Sequence, residues 1–234
     1  MLRTKNFTPL FNTPHFESLL CDRGGVDRSN HLRILETFLF PKRGIILIDK
    51  IGEVVSIETN DYPWDKPLYT KKAFLEEGEQ EPFAPLPRIS SIINRLKNIP
   101  KIPYLLGGTI LEPTFMDLPL AGNEFVDRHK HLFGIDCSGL IYLVTEGNVP
   151  RNTTDLMKIG KRVETLAPLD LILFTGHVLV YLGNGQVVES RQVDGVVYSD
   201  WSIRKTQITL PYQFIRFHPE AFSQRFAQDE RCEY

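Results

Sequence analysis

The stretch FGIDCSGLIYLV, residues 133–144, sets a cysteine between an aspartate and a serine where a polar segment gives way to an apolar run. Asp136 is a suitable helix N-cap. Gly147 and Pro150 supply a C-cap glycine and a stop shortly beyond it. Cys137 is therefore expected in the first turn of a helix, where unpaired backbone N–H groups and the helix dipole favour a thiolate. Taken alone, the stretch fits a nucleophile and a small buried side chain equally well, because most free cysteines are the latter. A nucleophile also needs a base.

FTGHVLVYLGNGQVVES, residues 174–190, offers one. His177 opens a strand after a Thr-Gly turn, and by itself it is an ordinary strand-end histidine. Glu189 changes that reading. With a two-residue Asn184-Gly185 turn the two side chains would fall on opposite faces of the hairpin. A three-residue Gly183-Asn184-Gly185 loop, with Gly185 left-handed in a bulge, sets residue 189 opposite residue 179 and makes Glu189 the diagonal neighbour of His177. A long side chain spans that distance. The sequence thus permits a cysteine–histidine–carboxylate relay if the loop has three residues. Tyr104 is a candidate phenol near the nucleophile, its alternative being an amphipathic aromatic at the core edge.

Around these motifs the chain reads as two domains. ETFLF, GIILIDK and EVVSIET, between residues 36 and 59, are β-branched and aromatic runs separated by turns. LYTKKAFLEE (68–77) adds a last short strand and a helical turn. So many short strands in so few residues suggest a small β-barrel over residues 1–80. EEGEQEPFAPLPR (76–88) mixes acids with three prolines, which places a linker at 81–88. RISSIINRLKNI (88–99) carries apolar residues at helical spacing, whereas 109–134, broken by Pro113, Pro119 and Gly122, reads as a long loop. A helix around TTDLMKIG, the strands LDLILF, HVLVYLG and QVVESR, and a strand pair in ITLPYQFIRF complete an α+β domain over 89–234.

The totals exclude several classes. A formal net charge of −2 gives no electrostatic reason to expect a nucleic-acid partner. No run approaches the roughly 18 apolar residues that a membrane span needs, and the N-terminus lacks the apolar core of a secretory signal, so a cytoplasmic location is expected. Three scattered cysteines, Cys21, Cys137 and Cys232, form neither a disulfide framework nor a zinc ribbon. His129 and His131 alternate in a basic RHKH stretch without a cysteine or carboxylate partner, a poor metal site. No metal or cofactor is expected.

PYLLGG, GIDCSGLIYLV, VPRNTTDLMKIGKRV, LAPLDLILF and GHVLVYLGNGQVVES follow one another as in the NlpC family of papain-like cysteine peptidases, which the chain resembles over roughly residues 90–217. The first half resembles a bacterial SH3-like barrel. The resemblance implies a papain-like catalytic domain and a thiol protease that hydrolyses peptidoglycan stem peptides, in cell-wall turnover, at the bond between γ-D-glutamate and diaminopimelate or lysine. It implies Cys137 as nucleophile, His177 as base and Glu189 as third polar residue. For free L-Ala-γ-D-Glu fragments it further implies that Asp136, Ser138, Glu36 and Tyr62 hold the terminal amine. For Glu36 and Tyr62 the alternatives are a solvated charge and a loop aromatic. Three departures stand out: Leu106 where the family has tryptophan, Pro168-Leu169-Asp170 where it has Pro-Gly-Asp, and Glu189 where histidine is common. An amidase or acyltransferase of the same fold, or a non-catalytic wall-fragment-binding protein, would carry the same residues.

Overall fold

A computed structural model describes residues 1–22, 32–82, 84–115 and 131–216, without the side chains of Cys21, Asp22, Phe115 and His131. His129 and Cys232 lie outside the described residues. By packing, the chain divides into two units, Met1–Pro82 with Pro103–Asp136, and Phe83–Ile102 with Cys137–Tyr234. Among the described residues both contain more strand than helix, and their helices are few and short. Among the described residues no helix is long and apolar enough to cross a membrane.

In the first unit, β1 (Leu2–Thr4), β2 (Thr8–Phe11), β3 (Leu35–Leu39), β4 (Gly44–Ile51), β5 (Val54–Glu58), β6 (Leu68–Lys71) and β7 (Leu75–Glu77) form one antiparallel sheet, ordered β3-β2-β6-β5-β4-β1-β7. The segment LYTKKAFLEE is therefore two strands joined by a 3-10 turn at Lys72–Phe74, not a strand and a terminal turn. A short helix, α1 (Phe16–Asp22), brings Phe16 onto Phe11, their rings stacked at 4.1 Å.

The expected loop 109–134 is partly strand. β8 (Thr109–Phe115) and β9 (His131–Ile135) pair, with an irregularity between Ile110 and Thr114 that takes up Pro113, a residue unable to donate to the ladder. That irregularity hides the alternation in the sequence. Ile110 and Leu132 are buried in one core cluster with Phe11, Phe16 and Phe38, which is why 103–136 belongs to this unit.

In the second unit, α2 (Ile89–Lys97) follows the predicted periodicity and buries Ile92 and Leu96. Then come α3 (Cys137–Val144) and α4 (Thr153–Leu156). β10 (Lys161–Val163), β11 (Leu171–Phe174), β12 (His177–Gly183), β13 (Gln186–Arg191), β14 (Gly195–Asp200) and β15 (Tyr212–Arg216) form an antiparallel sheet in the order β10-β15-β11-β12-β13-β14, and α5 (Trp201–Arg204) leads out of β14. ITLPYQFIRF yields the single strand β15, which starts after Pro211.

α3 ends in a Schellman turn: Gly147 N donates to Tyr142 O and Glu146 N to Leu143 O. Glu146 takes the left-handed position with φ 56°, so the cap residue is a glutamate and not the expected glycine, which follows it at φ 79°.

The hairpin of β12 and β13 corrects the expected loop. Gly183 pairs with Gln186, so the loop has two residues, Asn184 and Gly185, both left-handed at φ 51° and 77°. The extra residue sits instead in the strand, as a bulge between Tyr181 and Gly183. Beyond it Tyr181 pairs with Val187 and Val180 with Val188. Extending that register by one residue sets Glu189 opposite Leu179. The loop length differs from the expected one and the register is the same.

One departure from the family pattern has a conformational cost. Asp170 N donates to Ala167 O across a tight turn in which Leu169 adopts φ 77°, a position that favours glycine. Leu169 is 5% exposed, so its burial, worth about 1.5–3 kcal/mol, offsets left-handed strain of roughly 1–2 kcal/mol. Leu169→Ala keeps the strain and loses the burial, whereas Leu169→Gly loses both. Urea unfolding is therefore expected to rank Leu169→Gly above Leu169→Ala in stability, the reverse of the ordinary order, with Leu169→Ala down by at least about 2 kcal/mol. Equal or inverted midpoints would refute the strain.

Candidate active site

α3 begins at Cys137, whose free thiol is 5% exposed. The helix is apolar on nearly every side and buried throughout its first turn, so the nucleophile candidate sits on a rigid element and not on a loop. Its Sγ lies 4.0 Å from Gly176 O and 3.9 Å from Thr153 Oγ1. Gly176, left-handed at φ 78°, makes the turn that delivers His177 to the head of β12.

His177 Nε2 is 2.7 Å from Glu189 Oε2, which leaves Nδ1 for the thiol. Phe174 flanks the ring at 5.2 Å, directly across the β11–β12 ladder. Burial pushes the His177 ring down, but hydrogen bonds and negative charge from Cys137 and Glu189 outweigh it and raise the ring to about 9. Burial likewise pushes Glu189 up, yet His177 and Arg204 hold it below the usual carboxylate range.

Arg204, on α5, carried no signal in the sequence. Its Nε donates to Glu189 Oε1 at 2.5 Å and its Nη2 to Glu189 Oε2 at 3.0 Å, a side-on fork on a carboxylate with no exposed surface. Nothing in the spacing of 189 and 204 announces the pair, because it forms across a strand and a capped turn. Arg151 was missed for the same reason. It is 5% exposed, and its Nη1 donates to Ser138 Oγ at 3.0 Å.

The remaining site candidates belong to the first unit. Tyr62 donates to Glu36 Oε2 at 3.4 Å, and Asn12 Nδ2 to Glu36 Oε1 at 2.6 Å. Asp136 Oδ2 accepts from Gly107 N at 2.9 Å. A Cβ on Gly107, which has φ 79°, would meet Leu35 O at 2.6 Å and Glu36 O at 3.1 Å. The double glycine therefore brings the Asp136 carboxylate and the Glu36 backbone onto one stretch of chain. Tyr104 is half-buried in the segment leading to Gly107. Among the described residues no three His, Cys, Asp or Glu side chains converge to hold a metal ion.

Residues 101–210 match the model of the NlpC/P60 family. That stretch is similar to an NlpC/P60 domain. A gamma-DL-glutamyl hydrolase of Bacillus subtilis is 38% identical over 82 residues, a match that spans 29% of this chain and 20% of that relative. An NlpC/P60 family protein from Bacillus cereus has a similar fold, with a TM-score of 0.64 and 16% identity over 93% of this chain and 99% of that one. NlpC1 from Trichomonas vaginalis aligns with a TM-score of 0.40 and 15% identity, over 93% of this chain and 68% of that one.

The electrostatics make a signed expectation. The folded His177 ring titrates near about 9, above its ordinary 6.5. The stability it contributes is fully present below about 6.5 and is lost as pH rises through about 9. NMR titration of His177 is expected to give that midpoint. Glu189→Gln removes the carboxylate and should lower it by about 1–3 pH units. An unchanged midpoint in Glu189→Gln would show that the carboxylate does not act on the ring.

Proposed function

We propose that the protein is a cysteine hydrolase acting on peptidoglycan stem peptides at the bond between γ-D-glutamate and the following diamino acid. The observation that carries the reading is the 2.7 Å contact of His177 Nε2 with Glu189 Oε2, in an NlpC/P60 domain whose cysteine opens a buried helix beside the same histidine. The gamma-DL-glutamyl hydrolase relative supports a γ-glutamyl acyl group.

In this reading the Cys137 sulfur attacks the γ-carbonyl carbon and His177 holds the thiol proton. The backbone N–H of Cys137 donates to the developing oxyanion. The proton passes from His177 to the leaving amine, and a thioester to the γ-D-glutamyl group remains. Water activated by the then neutral His177 cleaves the thioester and restores the thiol. Glu189 keeps Nδ1 of the ring turned to sulfur.

Residues 1–80, which we read as an SH3-like barrel, supply Glu36 and Tyr62, and Asp136 and Ser138 flank the cysteine; two carboxylates and a phenol suit a free amine. That favours short fragments beginning with L-alanine over the intact wall. Tyr104 is assigned to the same substrate-binding set.

L-Ala-γ-D-Glu-diaminopimelate, followed by mass spectrometry, is expected to release L-Ala-γ-D-Glu. Cys137→Ala should cut the rate by at least about a thousandfold. The N-acetylated peptide should be spared. Cleavage of both peptides alike would remove the amine role from Glu36, Tyr62 and Asp136. Cleavage of neither by folded protein would favour an amidase or acyltransferase on another acyl donor.

A further inference from the structure

We propose that Arg204 is a positioning residue that keeps the Glu189 carboxylate ionised and in place through both protonation states of His177. Its consequence for turnover rests on the hydrolase reading; its geometry does not.

Glu189 has no exposed surface, so an ionised carboxylate there requires a partner at all times. His177 cannot be that partner alone. In the relay it alternates between cation and neutral ring, and with the ring neutral the carboxylate would be a buried charge without compensation. It would then hold the imidazolium so firmly that the ring became a poor acid toward the leaving amine.

Arg204 supplies the missing compensation, because a guanidinium stays charged at every working pH. Its fork engages both carboxylate oxygens, and Oε2 is shared between Arg204 Nη2 at 3.0 Å and His177 Nε2 at 2.7 Å. The titratable groups that face the His177 ring are then Cys137 from α3 and Glu189 from β13, with Arg204 from α5 behind the carboxylate.

The element that brings Arg204 in is fixed at its start. Asp200 Oδ1 accepts from Ser202 N at 2.7 Å and caps the turn. Trp201 packs edge-on against Tyr212 and Phe214 at 5.5 and 6.0 Å, and it joins the cluster of Ile172, Leu179 and Val187. Glu189 lies on the same strand as Val187, one alternation away, so the segment that covers that sheet face also delivers the guanidinium.

Two variants test this by NMR titration of His177, which needs no substrate. Arg204→Gln takes a cation away from the ring and leaves Glu189 to act on His177 undiluted. The midpoint is expected to rise by about one pH unit, opposite in sign to the shift in Glu189→Gln. Arg204→Lys retains the charge and should stay within about 0.3 pH units of the native midpoint. A lowered or unmoved midpoint in folded Arg204→Gln overturns the proposal. So does a lysine variant displaced as far as the glutamine one, and the lysine variant decides the matter if Arg204→Gln fails to fold. With the stem peptide, Arg204→Gln should lower kcat roughly tenfold with KM unchanged, and Arg204→Lys should recover most of it. Expected titrations without peptide cleavage by native protein would sink the hydrolase reading and leave this inference standing.

Discussion

A carboxylate with no exposed surface, Glu189, sits in the interior of a six-stranded antiparallel sheet, and much of the second unit follows from keeping it there. Burying such a group uncompensated costs several kcal/mol. Compensation arrives from two directions, His177 along the sheet and Arg204 from the turn that follows β14. Each supplier needs its own backbone device. His177 depends on the left-handed Gly176, and Arg204 on the Asp200 cap and the Trp201 anchor. The third requirement is register, since a one-residue slip in the β12–β13 pairing would turn Glu189 to the other face. The bulge between Tyr181 and Gly183 fulfils it.

The second unit also shows packing overriding local preference. Leu169 and Glu146 both hold left-handed backbone where glycine is the natural occupant. Leu169 is kept by burial, together with the bonds of Leu169 N to Tyr181 O and Tyr181 N to Asp170 O that tie its turn to β12. Asp170 is itself fixed by the Arg216 fork at 3.0 Å to each oxygen. Glu146 is kept by an exposed ion pair with Arg95, worth at most about 1 kcal/mol, and by the Schellman bonds. The buried site therefore holds its strain more firmly than the exposed one.

How much of this was legible in the sequence depends on the range of the interaction. Helix α2 and the helix start at Cys137 were readable because capping and periodicity are local. Strands β3 to β6 were readable from β-branched runs, whereas the short β1, β2 and β7 carry no such run. The pairing of His177 with Glu189 was readable because the two lie within one hairpin, although the extra residue lies in the strand and not in the loop. β8 and β9 were not legible, since Pro113 and the register shift break their alternation. Arg204 and Arg151 were not legible either: each reaches its partner across elements whose packing no spacing rule reports.

The double glycine at 107–108 shows what a short motif can hide. Read locally it is a turn. In the first unit it is a requirement of close approach, because a side chain at 107 would strike Leu35 O and one at 108 would come within 2.4 Å of Gly134 O. Gly134 in turn has φ 148°, with Leu105 Cβ 2.6 Å from where its own Cβ would be. Three glycines thus let three backbone segments, around 35–36, 105–108 and 134, lie against one another, and the Gly107 N–H is the donor to Asp136. Asp136 immediately precedes the cysteine. The position of its carboxylate is therefore set by residues without side chains, so any alanine in that trio would disturb Asp136 before it disturbed His177 or Glu189.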